Sequence, residues 1–297
     1  MVKTKNILVT GGAGFIGSNL IKKLITRGYI VSSIDNYDSG KESNHVDGCM
    51  YYRGDISEIG GSNFKDWMLK NNRTFDTCFH LAGLSRIQPS FSNPSETLRV
   101  NTIGTQQVLE FARKNNTRVI YAGSSSRWHN PYQSPYATSK YLGEELCKMY
   151  RNTYTLHVEI ARFYNVYGPG ELVDGDWAAV TGTWRRQVRD GEIITIVGDG
   201  EQRRDFTHID DIIDGIIRIL ESGKKHEDAW EFGTGNNYSI NEVYEMFRSR
   251  FGVDKVHVPN QAGNYRETLR ENDDSIVRLG YNPTDRLNEY ISGLENE

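Results

Sequence analysis

Cysteine is scarce in this chain: three in 297 residues, Cys49, Cys78 and Cys147, far apart and without a CxxC pair. That pattern argues against a disulfide framework and against a zinc site, and reads as reduced packing residues of a cytoplasmic protein. An excess of one charge is also missing. The 35 Lys and Arg against 39 Asp and Glu leave a formal −4, so no broad basic surface for nucleic acid is expected. No apolar run approaches the roughly 20 residues that span a bilayer, and mean hydropathy is −0.60, so no membrane partner is expected either. Met1 to Val9 passes from basic residues straight into a β-like run with no cleavage site, which does not read as a signal peptide. Internal repeats, low-complexity tracts and long charge runs are absent. What remains is an ordinary globular composition, 37 % hydrophobic with 29 glycines, in a chain long enough to build its own core.

Strand-like runs at Asn6–Thr10, Ile30–Ile34, Met50–Arg53, Phe75–Leu81, Arg118–Ala122 and Leu156–Arg162 alternate with helical patterns. The helices are expected at Phe15–Arg27, Pro94–Lys114 and Pro135–Arg151. Such alternation predicts an α/β fold with a doubly wound parallel sheet, because parallel neighbours need helical crossovers. The rhythm breaks after Asn165 at Gly168-Pro169-Gly170, and resumes with helices at Asp210–Glu221 and Ser239–Phe251. The second of these opens on Ser239 with Glu242 three positions later, a capping-box pattern. The layout predicts a sheet domain over 1–165, rejoined by segments around 203–235, and a smaller C-terminal α/β domain over 166–297.

Residues 10–18 read Thr-Gly-Gly-Ala-Gly-Phe-Ile-Gly-Ser between the first strand and the first helix. Gly11 permits a tight turn, Gly14 lets backbone amides approach a pyrophosphate, and Gly17 allows close helix packing. The start of a helix welcomes an anion through unpaired N–H groups and its partial positive charge. Asp35 ends the second strand, where a carboxylate accepts from both ribose hydroxyls and repels a 2′-phosphate. A glycine-rich turn without a ligand is the plain alternative. Strand, loop, helix, strand and terminal acid together favour a dinucleotide site, and NAD over NADP.

Tyr136-Ala-Thr-Ser-Lys140 begins a helical pattern, and residues four apart share a helix face. A phenol near pKa 10 is a poor base at neutral pH, and a neighbouring ammonium is expected to lower it. The fifth strand ends in Ser124-Ser125-Ser126, at the sheet edge where doubly wound folds hold ligands. By itself Tyr-x-x-x-Lys is usually a solvated helix face, and a serine-rich turn needs no function.

Together these segments resemble the extended short-chain dehydrogenase/reductase family, and within it the nucleotide-sugar epimerases and dehydratases. The resemblance rests on TGGAGFIGS at 10–18, IDNYDSGK at 34–41, GDI at 54–56, HLAG at 80–83, VNTIGT at 100–105 and YAGSSS at 121–126. It continues through YATSK at 136–140, RFYNVYGPG at 162–170 and GDGEQRRDFTHIDD at 198–211. It implies a Rossmann-type domain that binds NAD through Gly11, Gly14, Phe15, Ile16, Gly17, Asp35 and Asn36. Asp55 and Ile56 would flank the adenine, Leu81, Ala82 and Gly83 would line the groove, and Asn101 would support the active-site strand and helix. The resemblance further implies catalysis by Ser124, Tyr136 and Lys140, of which Tyr136 and Lys140 would also contact the cofactor. It implies a nucleotide-diphosphosugar substrate, a UDP-sugar first among them, held by Ser85, Ser125, Asn165 and Arg204, and a homodimer paired through the helices near 94–114 and 135–151.

The chain also departs from the family pattern. Only eleven residues separate Ser124 from Tyr136, where relatives carry a longer loop that helps cover the substrate. Arg127-Trp128-His129 replaces the usual Val-Tyr-Gly, and Val197 stands where some relatives stack an aromatic on the base. Among the other residues weighed, His80 reads as a packed core histidine and Trp128 and His129 as exposed loop filler. Asp205, Asp210 and Asp211 could suggest a cation site, but Asp210 and Asp211 open a helix, where acids are expected, so no metal is expected. Trp177 and Trp184, seven apart, are expected on one face of a helix. The reading is an NAD-dependent nucleotide-sugar 4-epimerase. Its rivals are a 4,6-dehydratase, which would want Asp-Glu where Ser125 and Ser126 stand, a uronate decarboxylase, and a non-catalytic NAD-binding sensor or scaffold.

Overall fold

A computed structural model describes residues 5–295; the start of the Met1–Val9 run and the last two residues lie outside the described range. The first half runs β1 (Asn6–Thr10), α1 (Phe15–Thr26), β2 (Ile30–Asp35), β3 (Met50–Arg53), α2 (Ser62–Lys70), β4 (Thr77–His80), α3 (Ile87–Ser92) and α4 (Pro94–Leu98). It continues with α5 (Thr105–Asn115), β5 (Arg118–Ser124), α6 (Pro135–Tyr154) and β6 (Val158–Phe163). The second half adds β7 (Val166–Tyr167), α7 (Val180–Arg189), β8 (Ile194–Val197), β9 (Arg203–Arg204), β10 (Thr207–His208) and α8 (Ile209–Ser222). Last come β11 (Trp230–Phe232), β12 (Tyr238–Ser239), α9 (Ile240–Phe251), β13 (Lys255–Val258), α10 (Asp274–Leu279) and α11 (Leu287–Ser292).

Seven strands form one parallel sheet in the order β11-β6-β5-β4-β1-β2-β3. The chain steps outward from β1 to β3, then returns to place β4 on the other side of β1. That reversal opens a crevice at the carboxyl ends of β1 and β4. Both sheet faces are covered, so β1 carries no polar alternation: Ile7 and Val9 enter the core with α1 and α8, while Leu8 enters the core with α2 and α5. A separate, smaller core gathers Trp184, Ile194, Ile196, Val243, Phe247 and Leu287 from the second half.

The Pro94–Lys114 pattern is not one regular helix. Between α4 and α5 the backbone widens into a π-helical turn over Arg99–Gly104, a distortion that often re-aims a side chain. Here it turns Asn101 inward. The capping box of α9 forms: Glu242 N–H donates to Ser239 Oγ at 3.1 Å, and Ser239 N–H to Glu242 Oε2 at 2.6 Å. The paired tryptophans do not share a helix face, because α7 begins at Val180, after Trp177. Trp184 is buried and donates its indole N–H to Thr195 O at 3.0 Å, and both tryptophans reach the wall of one cavity. Behind the sheet edge, Arg162 is fully buried between Glu144, Asp228 and Glu231, at 2.8, 2.7 and 3.5 Å. This cluster ties α6 to β6 and β11.

Candidate active site

The crevice is a cavity of about 700 Å³ that runs from the glycine loop, past the ends of β4 and β5, to residues of the second half. Gly11 has φ +74°, and a Cβ there would lie 2.8 Å from Ala82 N. A Cβ on Gly17 would lie 2.1 Å from Gly11 O, so the close contact of loop and helix requires glycine. Helix α1 starts at Gly14 with no side-chain cap, leaving first-turn amides for an anion. Asp35 accepts from the N–H groups of Ala13 and Tyr37, each at 2.8 Å. Its carboxylate thus fixes the loop and still lines the cavity. The cradle, the uncapped helix and the acid fit a dinucleotide such as NAD.

Phe15, Ile16, Asn36, Asp55, Ile56, Leu81, Ala82 and Gly83 line the same cavity. Burial opposes ionisation of Asp55, but hydrogen bonds from Arg99 and Ser57 hold its carboxyl down at about 2. Asn101 is the exception among the cofactor-side residues, for it lies behind the wall. Its side chain accepts from Leu84 N–H and donates to Leu84 O, both at 2.8 Å, and to Ser139 Oγ at 2.9 Å. It therefore clamps the loop after β4 to α6 and does not line the cavity.

Ser134 caps α6 by accepting from Ala137 N–H at 3.1 Å, and Pro135 occupies the first helical turn. This start aims Tyr136 at the end of β5, where its hydroxyl donates to Ser124 Oγ at 3.2 Å. One turn later Lys140 donates to Ala122 O at 2.9 Å, and its Nζ lies 5.1 Å from the Tyr121 ring centroid. Burial pulls the Lys140 ammonium down to about 8, with Glu144 opposing. The expected acidification of Tyr136 by Lys140 is not what the protein displays. Burial raises the phenol above its ordinary value, and the groups pulling it down are Ser124 and Arg86. The ammonium is instead spent on the Ala122 carbonyl.

The substrate-side residues also reach the cavity, in different ways. Ser85 is exposed. Asn165 donates to Asp205 O and Thr268 Oγ1, both at 3.1 Å, and so joins two chain segments. Arg204 donates to Arg203 O at 2.8 Å and has no carboxylate partner among the described residues; burial pulls its guanidinium down to about 10. Buried His80 sits between Thr10 at 2.8 Å and Thr105 at 2.9 Å, with burial driving its pKa to about 3. Trp128 and His129 are not loose filler. The Trp128 indole donates to Glu231 at 2.6 Å, and His129 stacks on Tyr265 at 3.9 Å between centroids. The short loop is thereby pinned to the C-terminal segment, which supplies Gln261, Asn264, Tyr265 and Thr268 to the cavity. Asp205 accepts from the N–H groups of Thr234, Gly235 and Arg270, and Asp211 from Arg286 and Thr284 N–H. Among the described residues no cluster of three or more His, Cys, Asp or Glu is placed to hold a metal.

Sequence reasoning passed over Arg86, Glu171 and Tyr265. Arg86 stands beside the predicted Ser85 in the segment after HLAG, and a lone arginine there was the available signal. Glu171 and Tyr265 lie in irregular stretches whose course no periodicity reveals.

The same folding pattern recurs in known proteins. The chain is 31 % identical to a UDP-N-acetyl-alpha-D-glucosaminuronate decarboxylase of Bacillus cytotoxicus, covering 86 % of this chain and 84 % of that one. It is 29 % identical to a UDP-glucose 4-epimerase of Mycolicibacterium smegmatis, covering 96 % of each. The crystal structure of a UDP-glucose 4-epimerase with UDP-glucose from Thermotoga maritima superposes with a TM-score of 0.87 at 28 % identity, over 97 % of this chain and 96 % of that one. A family model matches residues 7–233, which span the glycine loop, the serine run, the Tyr-x-x-x-Lys turn and Arg204. On that match the chain belongs to the NAD dependent epimerase/dehydratase family.

Proposed function

We propose that this protein is an NAD-dependent 4-epimerase of nucleotide-diphosphosugars, with a UDP-sugar as substrate. NAD, when bound, supplies reversible hydride storage at C4 of the sugar, so net redox is zero. Gly11, Gly14 and the first turn of α1 would hold its pyrophosphate, Asp35 a ribose, and Lys140 the ribose next to the nicotinamide. Tyr136 takes the proton of the sugar 4-hydroxyl as general base, its burial offset by the Ser124 hydrogen bond, by Arg86 and by the positive charge that bound NAD would add, and Ser124 bridges that hydroxyl and the phenol. The 4-keto sugar then turns within the cavity, and Tyr136 returns the proton to the opposite epimer. Ser85, Ser125, Asn165 and Arg204 contact the sugar nucleotide, with the guanidinium on the diphosphate. The observation that carries this reading is the 3.2 Å contact of Tyr136 and Ser124, inside one cavity with the glycine loop.

A uronate decarboxylase shares the opening oxidation, and several relatives carry that activity in their names. The two outcomes separate on incubation of the protein with NAD and UDP-glucose, UDP-N-acetylglucosamine or UDP-glucuronate. Interconversion of 4-epimers supports the proposal. A pentose with carbon dioxide, a 4-keto-6-deoxy sugar, or no product from any donor overturns it. We also propose a cytoplasmic homodimer that binds no nucleic acid. The outer faces of the 94–115 and 135–154 helices expose Ile103, Leu142 and Met149 at 52, 37 and 39 %, apolar area that pairing would cover. A single monomeric mass by light scattering would remove the dimer. No helix of the described residues is long and apolar enough to cross a membrane.

A further inference from the structure

Arg86 precedes α3, at its N-cap position but without a side-chain capping bond, and lines the cavity. Its Nε–H donates to Trp177 O at 2.8 Å. Its terminal nitrogens make no hydrogen bond or ion pair with the described residues, yet they are not sealed in the wall: they open into the cavity. The nearest acid in charge terms is Glu171, and that carboxylate is already engaged by Thr181 at 2.6 Å, Tyr290 at 3.0 Å and Arg185 at 3.4 Å. Burial lowers the Arg86 guanidinium, as expected of a cation without a counter-charge.

Its place is the reacting end. Ser90, on α3, accepts from Tyr136 N–H at 3.2 Å and donates to Ile87 O at 2.6 Å, so this segment is joined to the head of α6. Arg86 and Tyr136 each feel the other's charge. Arg204 lies on β9 rather than ahead of α3, and there it influences His129 and Tyr265, the latter also feeling Tyr136. The cavity therefore holds two guanidiniums without carboxylate partners at two different places, and a diphosphate accounts for the one at Arg204.

We propose that Arg86 binds a carboxylate carried by the sugar itself, so that the substrate is an acidic nucleotide-diphosphosugar. This rests on the epimerase reading, which sets C4 of the sugar against Tyr136. Any group within reach of Arg86 then belongs to the sugar ring or its substituents. A guanidinium with its terminal nitrogens free matches the two oxygens of a carboxylate. A neutral sugar would cover the cation without neutralising it, which selects against neutral donors.

The test measures binding of three probes to the NAD-loaded protein by calorimetry: UDP-glucose, UDP-glucuronate, with its carboxylate on C5, and UDP-N-acetylmuramate, with its carboxylate on a C3 arm. One acidic probe binding about tenfold or more tighter than UDP-glucose is the expected result, and the better of the two tells which position carries the charge. Arg86→Met should erase that ratio and Arg86→Lys should keep part of it, whereas a merely structural arginine would shift all probes together. Equal affinity for the three probes, or an unchanged ratio in Arg86→Met, overturns the assignment. The two readings fail separately. Selective binding without turnover of any donor leaves Arg86 standing and removes the epimerase, and epimerisation without acidic preference does the reverse.

Discussion

Replacing Tyr136 by Phe removes one oxygen and leaves the ring in place. That hydroxyl makes a single hydrogen bond, to Ser124 Oγ at 3.2 Å. A neutral hydrogen bond of this kind contributes about 1 kcal/mol to stability. The melting temperature of Tyr136→Phe should thus fall by only about 2–4 °C. Activity should respond on another scale. A positioned general base contributes about 10²–10⁴-fold to rate, or about 3–5 kcal/mol of barrier. Asp35, the glycine loop and Lys140 are untouched, so NAD content after purification should match the parent protein. The assay is kcat/KM for 4-epimerisation in both directions, with bound NAD determined after denaturation and melting followed by circular dichroism. A variant retaining more than a tenth of kcat/KM, with NAD bound, would refute the base assignment. Loss of NAD or of folding along with activity would refute the claim that the phenol acts in chemistry alone.

Three further perturbations follow from the same geometry. Lys140 has a folded pKa of about 8 against 10.5 ordinarily, so between those values the unfolded chain binds more protons and stability rises with pH. Relative to Lys140→Met, the parent should therefore gain about 2–3 kcal/mol from pH 7 to pH 10, read from urea unfolding at both pH values; a constant difference would contradict the buried ammonium. Arg162→Met leaves Glu231, at 0 % exposure, without its cation and Glu144, at 1 %, with only Arg127 at 3.8 Å and should cost about 3–5 kcal/mol, again by urea unfolding, with less than 1 kcal/mol as the contrary outcome. In Gly17→Ala the new Cβ meets backbone at 2.1 Å from Gly11 O and 2.7 Å from Gly12 Cα. The loop must open, and NAD affinity measured by fluorescence titration should drop by at least about tenfold; unaltered affinity would show that the loop does not form the pyrophosphate cradle.

Several features were legible because they are local. The glycines at 11, 14 and 17, the acid at 35 and the i, i+4 spacing of Tyr136 and Lys140 depend on residues near in sequence, and strand–helix alternation follows from periodicity. The capping box at Ser239 and Glu242 is equally local. The π-helical turn that carries Asn101 inward was not legible, since it preserves the helical path while displacing one side chain. Neither was the proton balance of Tyr136, because burial and the direction of Lys140 depend on what the whole fold packs around them.

The order of strand and helix patterns along the chain was enough to dictate a parallel, doubly wound sheet, and the motif residues marked its carboxyl edge as the place of chemistry. Tertiary structure alone decided what completes that place. Arg86 and Trp177 are 91 positions apart, and His129 and Tyr265 are 136 apart, yet each pair is in contact. Such contacts follow from how irregular segments close over the sheet, and no period or motif in the sequence encodes that closure. The substrate-facing charge of this protein belongs to that second category, and for that reason the sequence identified the cofactor loop more sharply than the sugar.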